Sequence, residues 1–145
     1  MSQEARRVRR ILGAIAGAVA VLVAGYSGVS SAQEVKVTLS GSQEIPPVIT
    51  SATGSGTITV ADKAVSGSVT TTGVVGVAAH IHQGAAGQNG PVIIPLTKTG
   101  DNVWSVPAGA QLTDEQNAAF KAGNLYVNVH SAANKAGEIR GQLKP

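Results

Sequence analysis

Three histidines are all the imidazole this chain has, and their spacing is the first hint of chemistry. His80 and His82 stand one residue apart in "AAHIHQGAAGQNGPV" (78–92), and His130 lies in "YVNVHSAANKAGEIRGQL" (126–143). Side chains alternate faces along a strand. His80 and His82 therefore share a face, with Val77, Ala79 and Ile81 on the other. In "LYVNVHS" (125–131), Leu125, Val127 and Val129 oppose Tyr126, Asn128 and His130. The aliphatic sets belong to a core, so the histidines face outward or into a cleft beneath loops.

Same-face neighbours on a strand lie roughly 6.5–7 Å apart at Cα, and two imidazoles can lean together onto one ion. A third histidine from a neighbouring strand completes a three-nitrogen set. Such a set suits copper or zinc with one position open, and not the oxygen-seeking calcium or magnesium. The alternative is a His-x-His pair on a solvated strand face that binds nothing. Two further residues are candidates for supporting roles. Asn128 can orient a ligand histidine through its free ring nitrogen, or act as a cross-strand partner. Glu44, in "SQEIPPVIT" (42–50), is either a carboxylate ligand or a loop-closing acceptor. Glu138 and Arg140 share a face and read as a solvated pair worth under ~1 kcal/mol. Ser131 follows His130 but points the other way, so no nucleophile–base pair is evident.

The elements that must position these residues are short. Strand-like segments occur at 34–40, 54–61, 64–72, 77–82, 91–96, 102–106, 125–131 and 137–143, separated by Gly, Asn, Pro and Ser clusters. Residues 54–72 read as a hairpin turning at Asp62-Lys63. About eight short strands at this spacing predict an all-β sandwich or barrel. One short connecting helix is expected over 112–124. Thr113 and Gln116 form its capping box, Gly123 stands at C′, and Ala118, Ala119 and Phe120 give it an apolar face. Trp104 belongs to the core or its rim.

The chain has 145 residues, 18 of them glycine, with 13% charged and 3% aromatic residues and no cysteine. Disulfides, thiol catalysis and cysteine-based zinc sites are excluded. Arg6, Arg7, Arg9 and Arg10 precede the apolar run 11–26 and the small residues 27–32. Residues 1–32 thus read as a signal peptide cut after Ala32, or as an uncleaved membrane anchor. Either way the protein is exported: secreted, periplasmic or held at the cell envelope. The leader carries four of the eleven basic residues and one of the eight acids. Residues 33–145, one domain, therefore hold seven of each sign and no net charge. Nucleic acid is excluded as a partner by the missing basic face and scarce aromatics.

The segments "LSGSQEIPPV" (39–48), "AAHIHQGAAGQNGPVIIPL" (78–96) and "LTDEQNAAFKAGNLYVNVHSAANKAGEIRGQL" (112–143) together resemble the CHRD domain, the module named for chordin. Stand-alone exported bacterial members of that family exist, and a signal plus one domain resembles those. The family has a suggested kinship with copper/zinc superoxide dismutase, which implies a Greek-key, immunoglobulin-like sandwich. "HIHQG" is similar to the dismutase segment whose two histidines bind copper, which would make His80 and His82 copper ligands. His130 would correspond, more loosely, to the late copper histidine. No histidine lies between His82 and His130, so the zinc half-site is missing, and the resemblance argues against dismutase activity. The expectation is an exported protein binding copper or zinc through His80, His82 and His130, for storage, buffering or delivery. The alternative is a metal-free adhesion or interaction module with an envelope or extracellular protein partner. Contact with a membrane would run only through an uncleaved leader.

Overall fold

A computed structural model describes residues 31–145, with Gly25 and Gly28 ahead of them. The leader expected over 1–32 lies outside the described residues apart from Gly25, Gly28, Ser31 and Ala32. Among the described residues, no helix is long and apolar enough to cross a membrane.

Among the described residues, nine strands form one antiparallel sheet in the order β5-β4-β8-β9-β1-β2-β3-β7-β6. They are β1 (Gln33–Ser40), β2 (Thr53–Ala61), β3 (Ala64–Thr72), β4 (Gly76–Gln83), β5 (Val92–Pro95), β6 (Thr97–Gly100), β7 (Val103–Ser105), β8 (Leu125–Ser131) and β9 (Ile139–Leu143). The two edge strands, β5 and β6, are neighbours in sequence with only Leu96 between them. The sheet therefore curls until its margins meet, giving the expected all-β barrel or sandwich in Greek-key order. β6 is the strand the sequence analysis did not anticipate. All four of its residues are exposed, so it has no buried set to create an alternation.

Local chemistry explains the connections. Asp62 and Lys63 both take positive φ, 45° and 72°, the mirror-image turn that matches strand twist in the β2–β3 hairpin. Helix α1 (Asp114–Lys121) opens with the full Thr113–Gln116 capping box, and Gly123 beyond it has φ 77°. Phe120 is the residue that docks it; Ala119 is half-buried, while Ala118, expected on the same face, is exposed.

The core gathers Val35, Val37 and Leu39 of β1 with Ile58, Val69, Ile81, Val127, Val129 and Ile139 from across the sheet. Trp104 is part of it. Val77, expected to face inward, is 59% exposed. The β4–β8 register slips between Gly76 and Ala78, and this bulge turns Val77 out while restoring the phase for Ala79 and Ile81.

Candidate metal centre

Adjacent strands β4 and β8 present the three histidines. In their register His82 lies opposite Tyr126, His80 opposite Asn128 and His130 opposite Ala78. All six face away from the aliphatic core, as side-chain alternation requires. The face is not a solvated one, however. Tyr126 and Asn128 are each 3% exposed and His82 8%, while His80 and His130 are half-buried. Loops 41–50, 84–91 and 132–138 supply the cover.

The rings converge. His80 and His130 stand with centroids 4.8 Å apart, His80 and His82 5.5 Å, and His82 and His130 6.3 Å. One nitrogen from each ring lies within 4.8 Å of the others. Nitrogens ~2.05 Å from a tetrahedral ion stand about 3.3 Å apart, so modest ring movements would close the set.

Backbone carbonyls fix which nitrogens are free. His130 Nδ1 lies 2.8 Å from the Lys135 carbonyl, and His82 Nδ1 lies 2.9 Å from that of Gly90. A carbonyl only accepts, so both Nδ1 atoms carry the proton and both Nε2 atoms carry a lone pair. His130 Nε2 spends its lone pair on His80 Nδ1, 3.0 Å away, which must then donate. His82 Nε2 is buried with no partner. Burial holds the His80 imidazole below its ordinary pKa, and the nearby His130 and His82 add to this. His82 is also held low, chiefly by burial; its bond to Gly90 and the nearby Asn128 offset this in part, while His130 and Arg140 add to it. Both rings thus favour the neutral form that ligates.

Tyr126 and Arg140 hold His82 in place. The Tyr126 ring stacks on His82 at 4.7 Å and 5° from parallel, and Arg140 Cζ lies 3.5 Å from the centre of the same ring. Since β8 runs between β4 and β9, tyrosine separates guanidinium from imidazole. Arg140 donates to the carbonyls of Ala85 (3.1 Å) and Gln88 (2.7 Å) and to Asn89 Oδ1 (3.3 Å). These residues belong to the loop whose Gly90 carbonyl accepts from His82. Gly90 N donates in turn to Tyr126 Oη at 3.0 Å. Only glycine fits at 90, because a Cβ there would overlap the Gln83 carbonyl.

Glu44 and Asn128 meet behind the histidines. Gly137 packs against both with φ 125°, and a Cβ there would fall 2.6 Å from Asn128 Nδ2 and against the Glu44 carboxylate. Burial raises the Glu44 pKa, a shift that the Arg140 charge, Asn128 and the Ile45 backbone oppose. Glu44 Oε1 and Asn128 Oδ1, like His82 Nε2, are buried acceptors without a hydrogen-bond partner. The Glu138–Arg140 pair expected from sequence does not form. Glu138 instead accepts from Thr50 at 2.9 Å, and Arg140, only 1% exposed, is drawn into the loop carbonyls.

The family model for the CHRD domain matches residues 35–143. The chain belongs to the CHRD domain family. No curated protein and no solved structure matches it.

In this CHRD domain the three sequence-selected histidines come together. Asn128 and Glu44 lie next to each other, with Asn128 within reach of His82. Sequence reasoning missed Tyr126, Arg140 and the carbonyls of Gly90 and Lys135. Tyr126 was detectable, since it shares the phase of Asn128 and His130. Arg140 was not, because its partners lie some fifty residues away in a loop.

Proposed function

We propose that this CHRD domain binds one copper or zinc ion through His80 Nδ1, His82 Nε2 and His130 Nε2, in an exported compartment, for metal storage, buffering or delivery. The observation that carries this is a cluster of three imidazoles that bring one nitrogen each within 4.8 Å of the others, with His82 Nε2 buried and unpartnered. A buried acceptor left unsatisfied costs stability, and an ion at that point would satisfy it. His80 joins by passing its Nδ1 proton to Nε2, which frees the lone pair that faces His130. Asn128 and Glu44 would act behind the ligands, Asn128 by holding His82 in position. The copper preference draws support from the likeness of the His80–His82 segment to the copper-binding segment of copper/zinc superoxide dismutase. The run of arginines and apolar residues at 6–26 supports export.

The test is isothermal titration of protein made from the full chain with copper and with zinc, repeated on His82→Ala. One equivalent bound by the wild type and weakened binding in the variant are expected. Equally weak binding in both would reject the reading. A metal-free interaction module is the second reading, favoured by the exposed aliphatics Ile49, Val75, Val77 and Val92. Under it, alanine at the histidines leaves metal response unchanged, and a protein partner is recovered from an envelope fraction.

A further inference from the structure

We propose that this centre selects copper in its monovalent state and that Arg140 sets the selection. The inference rests on the metal-centre reading above and concerns the charge of the ion. Its first support is the donor set. Among the described residues the ligand cluster consists of three imidazoles, with no carboxylate in it. Neutral donors leave the full charge of a bound ion uncompensated. The cost of burying a charge rises as its square, so a divalent ion suffers far more than a monovalent one beside the buried His82.

The second support is Arg140, a permanent cation. It is 1% exposed, lies 3.5 Å over one face of Tyr126, and reaches His82 through that ring. Its hydrogen bonds go to neutral oxygens, those of Ala85, Gln88, Asn89 and Gln142. Among the described residues the one salt bridge is Lys63–Asp114, on the surface, so no carboxylate contacts the guanidinium. Glu44 is the acid whose carboxyl feels Arg140; burial raises its pKa, and it makes no salt bridge with the guanidinium, so it offsets that charge only in part. Arg140 Cζ lies 3.5 Å from the Tyr126 ring centre and that centre 4.7 Å from the His82 ring, which puts the charge about 8 Å from the imidazole; at an effective dielectric near 20 such a charge penalises a divalent over a monovalent ion by up to about thirtyfold. Arg140 is thus a positioning residue for the loop that holds His82 and also the source of this field.

The experiment uses protein made from the full chain under anaerobic conditions. Copper(I) affinity is measured by competition with a chromophoric copper(I) chelator, and copper(II) and zinc(II) affinities by titration. The potential of the bound copper couple is read by redox titration. The wild type is expected to bind copper(I) more tightly than copper(II), with a potential above that of the aqueous couple. Arg140→Gln should narrow the copper(I)/copper(II) affinity ratio by about tenfold, while Arg140→Lys, which keeps the charge, should retain most of it. Should Arg140→Gln fail to fold, Glu44→Gln serves in its place: removing the acid that opposes the Arg140 charge should widen the ratio, and one that holds or narrows overturns the proposal. A wild-type potential at or below the aqueous couple, or a ratio unmoved in a folded Arg140→Gln, also overturns it. Tight divalent binding would end this inference and leave the metal-centre reading intact, whereas no binding of any ion ends both.

Discussion

Removing His82 tests the centre most directly, through the stability that a bound ion adds. An ion that binds only the native state stabilises it by RT ln(1 + [L]/Kd), about 2.7 kcal/mol when free ion is at a hundred times Kd. For a domain of this size, 1 kcal/mol moves the melting temperature by roughly 4 °C, so copper should raise it by about 10 °C. His82→Ala deletes the most buried of the three imidazoles, and with it the unpartnered Nε2. The remaining His80 and His130 form a half-exposed pair, and the copper-induced rise should shrink to under about 3 °C. Without metal the variant should melt several degrees lower, because the Gly90 hydrogen bond and the Tyr126 stack are lost, together worth about 1–3 kcal/mol. The assay is thermal unfolding followed by circular dichroism, with the fluorescence of Trp104, the only tryptophan, as a second probe. An equal copper-induced rise in wild type and variant would refute the reasoning.

The remaining expectations concern the surroundings of the centre. Gly137→Ala forces a Cβ against Asn128 and Glu44 at a φ of 125°, and chemical denaturation should register a loss of about 2–4 kcal/mol. Tyr126→Phe leaves the Gly90 amide without its acceptor; a loss of about 1–3 kcal/mol and roughly tenfold weaker copper binding should appear in denaturation and titration. Metal-free stability should depend on pH in a stated direction. His80 and His82 have lowered folded pKa values, so their contribution is complete above the unfolded value of 6.5 and is lost as pH falls through it toward the folded values. Glu44, raised, acts oppositely: its cost is present above its folded value and disappears as pH falls to 4.5. Denaturation midpoints measured between pH 8 and 4 should therefore drop near pH 6.5, and Glu44→Gln should remove the partial recovery at lower pH. Copper affinity should persist below pH 6.5 before protons displace the ion, which titration at pH 6 checks.

What the sequence disclosed follows from the reach of each interaction. The alternation of Val35, Val37 and Leu39 is local, as are the Thr113–Gln116 box and the Asp62-Lys63 turn, and each was legible. The common phase of His80, His82 and His130 was legible too, because a strand's pleat dictates it. That β4 and β8 would lie side by side was a matter of topology, which the phase alone does not reveal. The burial of the histidine face was hidden for a similar reason, since it depends on loops folding back from distant positions. Arg140 looked like a surface charge beside Glu138 until loop 84–91 came to it. Val77 followed the alternation on paper, and a one-residue bulge reversed it.

The junction at Leu96 has a bearing on how this domain survives at high concentration. Because β5 and β6 are two halves of one bent stretch of chain, the rim left without a hydrogen-bonded neighbour is only four residues long on each side of the bend. A foreign strand seeking to dock there meets the exposed Lys98 on one half and Pro95 on the other, and neither half can peel away without pulling its twin. The seam therefore guards the molecule against edge-to-edge stacking into fibrils, a safeguard suited to a chain without disulfides.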